Sequence, residues 1–479
     1  MHVSSFPNKW GKGDFGPEAY QFIDWLEKAE QSLWQILPLN FPDDTGSPYT
    51  SLSANAIYSG YISPEMLLKN GLLSEADWDS FIDEDPSLVR SRALDHAYRN
   101  WLAIDDKSEF DHFCRQHAYW LHDAALFFTI HEQYSGTWYD DFPSALRDRH
   151  LDAIEEWERN ESDTILKFKF EQFRLYKQWT DLKNYANEKG IKIIGDIPIF
   201  ISGDSSDVWA HRGLFKLNEE GYPLVWTGVP PDLFTETGQL WAQPHYDWDA
   251  MRRDDFTWWI ERMRTGKIHA DIIRVDHFRG FCASYEVEYG APTAVKGEWV
   301  DGPRSEIFKM LHERIPDLAI IAEDLGVITP DVTALRQEFN YPGMKILQFA
   351  FNAGHDNSYL PHNYDPSDHF VVYTGTHDNN TARGWFDHAS DHEKYMLSHY
   401  CDPNPDTIAW SLIEMAFRSN AMWAVIPLQD LFGLGEEARM NLPGTIVNNW
   451  VWQLDDFSPS EELTQEFKNL TIESGRGRS

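Results

Sequence analysis

Short apolar segments bounded by Gly, Pro or Asp recur along the whole chain, and they constrain its fold more than any other feature. They are rich in β-branched residues and show no clean alternation of polar and apolar positions, which is typical of strands covered on both faces of a parallel sheet. We predict such strands at residues 34–39, 191–199, 271–275, 318–322, 345–351, 370–373 and 423–428. A very short eighth candidate lies at residues 2–3.

Amphipathic helical patterns lie between these strands. Pro17 stands at a first helical position, and the apolar residues that follow it recur on one helix face. Residues 305–314 and 331–339 show similar spacing. Strands that alternate with helices predict an α/β fold, here a (β/α)8 TIM barrel.

Two connections are too long for plain crossovers between neighbouring barrel strands. We therefore predict inserted, largely helical subdomains at about residues 40–190 and 200–270, within a single catalytic barrel domain that spans residues 1–479. Residues 471–479 have little to bury, so we expect this tail to fray.

The charge balance narrows the classes of partner. The chain carries 77 Asp and Glu against 41 Lys and Arg, a formal net charge of −36, which disfavours nucleic acid and anionic membranes. There is no apolar stretch of about 18 residues and no signal-peptide pattern, so no membrane span is expected. The three cysteines, Cys114, Cys282 and Cys401, are far apart and odd in number, which favours a reducing cytoplasm.

Acidic residues follow several of the predicted strands. Asp276, Glu323 and Asp378 stand after three of them, and Asp196 lies within a fourth. In a β/α barrel the carboxyl ends of the strands surround one mouth, where chemistry takes place. A lone acid at such a place is most simply a helix cap or a salt-bridge partner. Three acids at three strand ends favour catalysis instead.

The neighbours of the first two acids suggest different protonation states. Arg274 lies two residues before Asp276 and so points to the same sheet face, where its guanidinium would keep the Asp276 carboxylate ionised. Asp324 adjoins Glu323, and a nearby like charge raises the pKa of a carboxyl group. The first state suits a nucleophile and the second suits a proton donor.

His277 and His377 each adjoin one of these acids. Their imidazoles can make hydrogen bonds within the protein or donate to sugar hydroxyls, and the pattern leaves both open. No compact carboxylate loop occurs, and we predict no metal site and no cofactor. A nucleophilic carboxylate paired with an acid/base carboxyl is the device of retaining glycoside chemistry, which predicts that the two groups lie roughly 5–5.5 Å apart.

At these residues the chain resembles a known family, the 4-α-glucanotransferases, also called amylomaltases or disproportionating enzymes, of glycoside hydrolase family 77. The match runs from about residue 2 to residue 455. Its motifs lie at residues 39–53, 195–209, 228–241, 274–281, 321–326, 341–351, 375–381 and 429–444. One departure is that the family's opening strand is cut short at Met1, so the first strand is expected to be stunted or replaced.

The resemblance implies the roles of the site residues. It implies that Asp276 is the nucleophile, that Glu323 is the general acid/base, and that Asp378 holds the hydroxyls of the distorted sugar. It places Tyr49 as an aromatic platform at the cleavage point. The other residues that it assigns to substrate binding are Ser47, Asp232, Gln239, Trp241, Arg274, His277, Asp324 and His377.

The function implied is transfer of α-1,4-glucan segments from a maltooligosaccharide or starch chain to the 4-hydroxyl of glucose or another glucan. A loop that contains Asp232, Gln239 and Trp241 is expected to capture the acceptor. An α-glucan hydrolase with the same acids is the alternative. The two activities differ only in whether a sugar hydroxyl or water reacts with the same glycosyl-enzyme intermediate. A non-catalytic carbohydrate-binding barrel is disfavoured because all three acids are present. The oligomeric state stays open.

Overall fold

The computed structural model describes residues 1–81, 83–231 and 236–478. Its strands are β1 (Leu33–Gln35), β2 (Lys192–Ile197), β3 (Val225–Val229), β4 (Gln239–Pro244), β5 (Ile272–Val275), β6 (Ala283–Glu288), β7 (Gly297–Asp301), β8 (Ile320–Ala322), β9 (Gly343–Ile346), β10 (Phe370–Tyr373) and β11 (Trp423–Val425).

The α-helices are α1 (Pro17–Lys28), α2 (Pro64–Lys69), α3 (Glu75–Asp79), α4 (Pro86–Leu102), α5 (Ser108–Gln116), α6 (Leu121–Gln133), α7 (Trp138–Asp141), α8 (Ser144–Arg147), α9 (Leu151–Asn160), α10 (Ser162–Glu188), α11 (Ser206–Ala210), α12 (Trp248–Arg253), α13 (Thr257–His269), α14 (Ser305–Arg314), α15 (Pro330–Glu338), α16 (Ala382–His388), α17 (Asp391–Leu397), α18 (Ile408–Phe417), α19 (Leu428–Leu431) and α20 (Glu461–Glu473). None of these helices is both long enough and apolar enough to cross a bilayer.

The parallel strands follow one another around a barrel. One hydrogen-bonded run has the order β1-β2-β5-β8, and the other has the order β9-β10-β11. The N–H of Ala322 in β8 donates to the carbonyl of Pro342, just before β9, at 2.9 Å and joins the two runs. The α/β barrel class is therefore confirmed.

The prediction of an eighth strand at residues 2–3 is wrong. Val3–Ser5 forms a 3₁₀ turn, and the His2 imidazole is engaged on both sides. Its Nδ1 accepts from the Leu37 N–H at 3.2 Å, and its Nε2 lies 2.9 Å from the Tyr61 hydroxyl. In the described part of the chain, no backbone hydrogen bond joins β1 to β11, so the wall of the barrel has a gap there.

The two long insertions differ in kind. Residues between β1 and β2 form α2 to α10, as the helical prediction has it. The second contains the helices α11, α12 and α13, but its middle forms β3 and β4 of an antiparallel sheet with the order β4-β3-β6-β7, which the helical prediction does not include. Because β6 and β7 follow β5, the sheet also extends past the predicted boundary at residue 270.

The helices pack on the barrel through the faces that the periodicity predicts. In α1, the side chains of Ala19, Phe22, Ile23 and Leu26 are buried, and Pro17 stands in its first turn. In α14, Ile307, Phe308 and Leu311 are buried in the same way. Most of the largest buried side chains are aromatic rings of the core, for example Trp138, Trp179, Trp209, Trp258 and Trp259.

The carboxyl-terminal tail is tied down, which differs from the frayed tail that we predicted. The Arg476 guanidinium donates to the carbonyls of Phe417 at 2.8 Å and Ala421 at 2.9 Å, at the end of α18. Arg478 donates to the carbonyls of Lys189 and Glu27. The two guanidinium groups thus satisfy carbonyls that loops would otherwise leave to water.

Candidate active site

The two acids predicted to do the chemistry stand at the ends of neighbouring strands. Asp276 follows β5 directly and Glu323 follows β8 directly, and the register pairs Val275 with Ala322. The ladder continues into the site, because the Glu323 N–H donates to the Val275 carbonyl at 3.0 Å. Both carboxyl groups are therefore carried on rigid backbone, which a catalytic pair requires.

Arg274 joins two carboxylates at the centre of the site. Its Nη1 lies 2.8 and 2.7 Å from the two oxygens of Asp196, on β2, and its Nη2 lies 2.9 Å from Oδ1 of Asp276. The Arg274 side chain is only 5% exposed. A buried guanidinium with such partners has few alternative orientations, so it fixes the Asp276 carboxylate in place.

Glu323 sits in surroundings that favour its protonated form. Burial raises the pKa of its carboxyl group to about 8, and the negative charge of Asp276 adds to this effect. Its oxygens accept from two main-chain amides, those of His277 at 2.7 Å and Leu325 at 3.1 Å, and the first of these hydrogen bonds opposes the rise in pKa without cancelling it. At neutral pH the group therefore holds a proton that it can give away.

Asp276 is the member of the pair that ionises first. Burial raises the pKa of its carboxyl group as well, but the Arg274 guanidinium opposes this rise through a direct ion pair. Glu323 has no such ion pair among the described residues. One negative charge shared by the two acids therefore resides on Asp276, as expected for a nucleophile beside an acid.

Asp378 lies in the loop after β10, and its side chain is 47% exposed. The Asn441 side-chain amide donates to its Oδ1 at 2.6 Å, and Arg439 donates to its main-chain carbonyl at 2.7 Å. The His377 Nε2 is 3.4 Å from the same Oδ1. One oxygen is thus fixed by the protein, and the carboxylate remains open to a ligand.

An aromatic wall stands beside these acids. The ring of Tyr49 stacks on His377, with 5.0 Å between centroids and 18° between planes. Trp450 lies 5.7 Å from both rings. The Tyr49 hydroxyl donates to Oδ2 of Asp196 at 2.7 Å, so the wall is connected to the Arg274 network. A flat surface of this kind suits the apolar face of a sugar ring.

Trp241 brings the antiparallel sheet to the catalytic strand ends. Its ring meets the His277 imidazole edge to face, with centroids 4.8 Å apart. Its Nε1 donates to the side-chain oxygen of Gln239 at 3.2 Å. Burial lowers the pKa of His277 to about 3, so this imidazole is neutral near pH 7. Asp232, predicted in the same loop, lies outside the described residues.

Two predicted substrate ligands have other contacts. Asp324 is held within the protein, with one oxygen 3.0 Å from the Arg336 Nε and the other accepting from the Met344 N–H at 2.7 Å. Because both oxygens are engaged and the side chain is only 11% exposed, the structure does not bring it to the sugar. The Ser47 hydroxyl accepts from the Tyr49 N–H at 3.2 Å and so supports the platform.

Further residues, to which the sequence pattern assigns no role, complete the site. Asp196 lies in a predicted strand, but its sequence context assigns it no role, and only the fold brings it to Arg274 and Tyr49. Asn441 and Arg439 lie inside a recognised motif at residues 429–444, but nothing in their spacing indicates that they reach Asp378. Trp450 gave no sequence signal. Only the fold brings residues so far apart into contact.

The comparisons with known proteins give results consistent with one another. A family model described as 4-alpha-glucanotransferase, of glycoside hydrolase family 77, matches residues 1–458. The chloroplastic/amyloplastic 4-alpha-glucanotransferase of Arabidopsis thaliana is 42% identical over 100% of this chain and 83% of its own length. The 4-alpha-glucanotransferase of Synechocystis is 41% identical over 99% of this chain and 97% of its own length.

A solved structure is similar over the whole chain. The amylomaltase from Streptococcus agalactiae, in complex with acarbose, superposes with a TM-score of 0.94 at 35% identity, covering 100% of this chain and 99% of that one.

Proposed function

This chain belongs to the 4-alpha-glucanotransferase family, glycoside hydrolase family 77, and from that membership we propose how its residues carry out the reaction. The protein is an enzyme that transfers α-1,4-glucan segments between glucan chains. The observation that carries the mechanism is the pairing of an ionised Asp276, held by Arg274, with a protonated Glu323 on the next strand.

The first half of the proposed reaction forms a covalent intermediate. The Asp276 carboxylate attacks the anomeric carbon of the donor sugar while Glu323 protonates the departing glycosidic oxygen. The bond between Asp276 and the sugar forms as the glycosidic bond breaks, and the fragment with the free reducing end leaves. Glu323 is then ionised and Asp276 is esterified.

The second half passes the sugar to an acceptor. The 4-hydroxyl of glucose or of another glucan enters, Glu323 removes its proton, and the acceptor oxygen displaces Asp276 from the anomeric carbon. Two inversions give net retention, so the new bond is again α-1,4. Glu323 alternates between acid and base, which suits a carboxyl group whose pKa is about 8 in the free enzyme.

We assign sugar binding to the groups that surround these acids. The open oxygen of Asp378 and the imidazoles of His277 and His377 bind hydroxyls, and the Tyr49 ring stacks on the sugar at the cleavage point. Trp241 and Gln239, on β4, bind the acceptor, and we assign Asp232 of the same motif to this role as well. A bound acceptor excludes water, and this exclusion favours transfer over hydrolysis.

The substrates that we propose are maltooligosaccharides, starch chains and glucose, and neutral glucans are indifferent to the net charge of −36. We also propose a cytoplasmic location, supported by three cysteines that are free in the structure. The names of the relatives from Arabidopsis thaliana and Solanum tuberosum describe them as chloroplastic/amyloplastic, so the compartment varies within the family.

Incubation of the pure protein with maltotriose tests the function. Transfer gives glucose and a ladder of longer oligosaccharides, which we expect. Maltose and glucose alone would establish a hydrolase and overturn the proposal. Asp406→Asn, which changes an exposed carboxylate far along the chain, is the matched control and should give the same ladder.

A second experiment tests the intermediate. In Glu323→Gln, an α-maltosyl fluoride can still esterify Asp276, because fluoride leaves without a proton, whereas removal of the sugar lacks its base. We expect mass spectrometry to find the maltosyl group on the peptide that contains Asp276. A maltosyl group on another carboxylate would contradict the assignment of the nucleophile.

A further inference from the structure

Four aromatic side chains lie in a continuous row outside the candidate active site. The ring of Tyr139 is 5.3 Å from that of Tyr222, the ring of Tyr222 is 6.2 Å from that of Tyr289, and the ring of Tyr289 is 4.8 Å from that of Trp226, all between centroids. We call these four side chains the aromatic row. They come from α7, from β3 and the turn before it, and from the end of β6, so only the fold brings them together.

The aromatic row does little to fill the core. Within the described part of the chain, Tyr139 alone among the four rings packs on a hydrophobic core cluster. Tyr289 is 42% exposed, and Leu224, between two of the row's residues in the sequence, is 55% exposed. A contiguous exposed surface of this kind marks a binding site more often than a structural one. Tyr and Trp also combine a flat apolar face with a polar edge, which suits a ligand that is partly wet.

The backbone that carries the centre of the row is fixed in advance of binding. The Asn218 N–H donates to the Tyr222 carbonyl, and the Asn218 side-chain oxygen accepts from the Tyr222 N–H, both at 2.9 Å. Gly221 has φ at 100°, and a Cβ there would lie 2.3 Å from the buried Trp138 ring. The Tyr222 hydroxyl donates to the Asp140 carboxylate. Rings held in this way lose little conformational freedom when a ligand stacks on them.

The rings of the row turn from one to the next. Adjacent planes are inclined by 55° between Tyr139 and Tyr222, by 64° between Tyr222 and Tyr289, and by 57° between Tyr289 and Trp226. The row therefore offers a succession of tilted faces and not one flat wall. An α-1,4-linked glucan curves along its length, whereas a β-1,4-linked glucan is flat and extended, so the row matches the first.

The charges beside the row favour a neutral ligand. Asp140 and Glu288 stand next in the sequence to two of the row's tyrosines, and both are exposed. The guanidinium of Arg147, close to Tyr222, is paired with Asp148. An anionic ligand would meet these acids, and a second copy of the chain would bring the same acids with it, which like-charge repulsion disfavours. A neutral sugar meets no such repulsion, and carboxylates accept well from its hydroxyls.

We propose that the aromatic row binds an α-1,4-glucan chain at a second site, outside the active site, with sugar faces stacked on its rings. The identity of the ligand rests on the proposed function, since the enzyme acts on glucan polymers. The two sites share a sheet, because Val229, three residues after Trp226 on β3, pairs with Gln239, about 10 Å along the strand. A chain held at the row keeps its other segments at high effective concentration near the barrel mouth. An oligosaccharide too short to reach both sites gains nothing.

The test is the double variant Trp226→Ala, Tyr289→Ala of the full-length protein. Trp299→Ala is the matched control, since Trp299 is a 40% exposed Trp of the same sheet whose ring is covered by the Arg279 guanidinium at 3.8 Å. Retardation in native gels that contain amylopectin measures binding, in an Asp276→Asn background that leaves the polymer unchanged. The KM values for amylose and for maltotriose are measured in the active protein.

We expect the double variant to lose most of the retardation that the row contributes and to raise the KM for amylose about threefold to tenfold. Its kcat/KM for maltotriose should stay at the wild-type value, and Trp299→Ala should match wild type in every measurement. Tyr289→Phe keeps the ring and should keep the retardation. If the double variant does not fold, Tyr289→Ala alone carries the test, because this side chain is largely exposed.

Several results would overturn the proposal. Unchanged retardation and an unchanged KM for amylose would remove the site, and an equal rise in KM for maltotriose would place the effect at the active site. Equal retardation by hydroxyethylcellulose, a β-1,4 polymer, would contradict the assignment of the ligand. A lower mass of the double variant in light scattering would make the row an interface between copies. Retardation needs no catalysis, so failure of the maltotriose ladder would refute the proposed function and leave this result in place.

Discussion

The main-chain N–H of His277 donates to Oε2 of Glu323 at 2.7 Å. His277 directly follows Asp276 and has a left-handed backbone conformation, with φ at 47°. Outside glycine this conformation costs roughly 1–2 kcal/mol, and here it aims the amide at the acid on the next strand. The position of the proposed acid/base is therefore set by the residue after the proposed nucleophile.

Loss of the Asp276 carboxylate should abolish transfer. We expect Asp276→Asn to lower kcat for maltotriose disproportionation by at least about 10³-fold, as removal of a covalent nucleophile does. The reason is that an amide beside Arg274 cannot attack the anomeric carbon. Substantial residual transfer, with unfolding unchanged from wild type, would remove Asp276 from the mechanism.

The alkaline limb of the pH profile should report Glu323. Because the free enzyme needs this carboxyl group protonated and its pKa is about 8, we expect kcat/KM to fall as the pH rises through about 8. In Asp276→Asn, the loss of the neighbouring charge should lower the pKa of Glu323. Infrared titration of the protonated carboxyl band measures this, and Glu323→Gln identifies the band.

The same group should reduce stability at alkaline pH. As the pH rises from 4.5, the ordinary pKa, to about 8, the unfolded chain releases the Glu323 proton while the folded protein keeps it. Folding is favoured less over this window. We expect Glu323→Gln to unfold a few degrees above wild type at pH 8.5, with a smaller difference at pH 5. An equal difference at both values would contradict the raised pKa.

Asn441 should act by positioning Asp378. Removal of its 2.6 Å hydrogen bond to Oδ1 leaves the carboxylate free to rotate, and we expect Asn441→Ala to lower kcat by up to about 10²-fold. Asn441→Asp puts a like charge beside Asp378 and should also lower kcat. A change in stability alone, with kcat intact, would refute this role.

Trp241 should determine how often a sugar acceptor, and not water, reacts with the covalent glycosyl-Asp276 intermediate. We expect Trp241→Ala to raise the ratio of hydrolysis to transfer several-fold, because a poorly held acceptor leaves room for water. Product analysis with maltotriose gives the ratio directly. Trp299→Ala is the control, since Trp299 lies on β7 of the same sheet and packs on Arg279 instead of His277.

Tyr49 should contribute mainly through its ring. Tyr49→Phe keeps the stack on His377 and loses only the hydrogen bond to Asp196, which Arg274 still holds. We expect Tyr49→Ala to lower kcat/KM at least about tenfold more than Tyr49→Phe does. Equal losses in the two variants would assign the role to the hydroxyl.

The sequence indicates the barrel and its three acids because both depend on local pattern. Buried strands are apolar runs, and Asp276 and Glu323 directly follow such runs. The direction of a side chain is a different matter. Asp324 directly follows Glu323, yet its carboxylate pairs with Arg336 of α15.

Other features depend on contacts between distant segments. The hydrogen bond from Asn441 to Asp378 joins residues 63 positions apart. The antiparallel sheet combines strands that precede β5 in the sequence with strands that follow it. The parallel strands read as apolar runs, whereas β7 is largely exposed and polar, with the pattern Gly-Glu-Trp-Val-Asp. No periodicity in the sequence distinguishes such a strand from a loop.

The ion pairs of Arg274 leave the mouth of the barrel with unbalanced charge. The carboxylates of Asp196, Asp276 and Asp378 outnumber the guanidinium groups of Arg274, which pairs with the first two, and Arg439, which donates to the main chain of the third. A resting glucan, which is neutral, gains little from this excess. An oxocarbenium-like sugar, with positive charge spreading over its ring oxygen and anomeric carbon, gains much more. The electrostatic design of the site thus favours a species that exists only while bonds are changing.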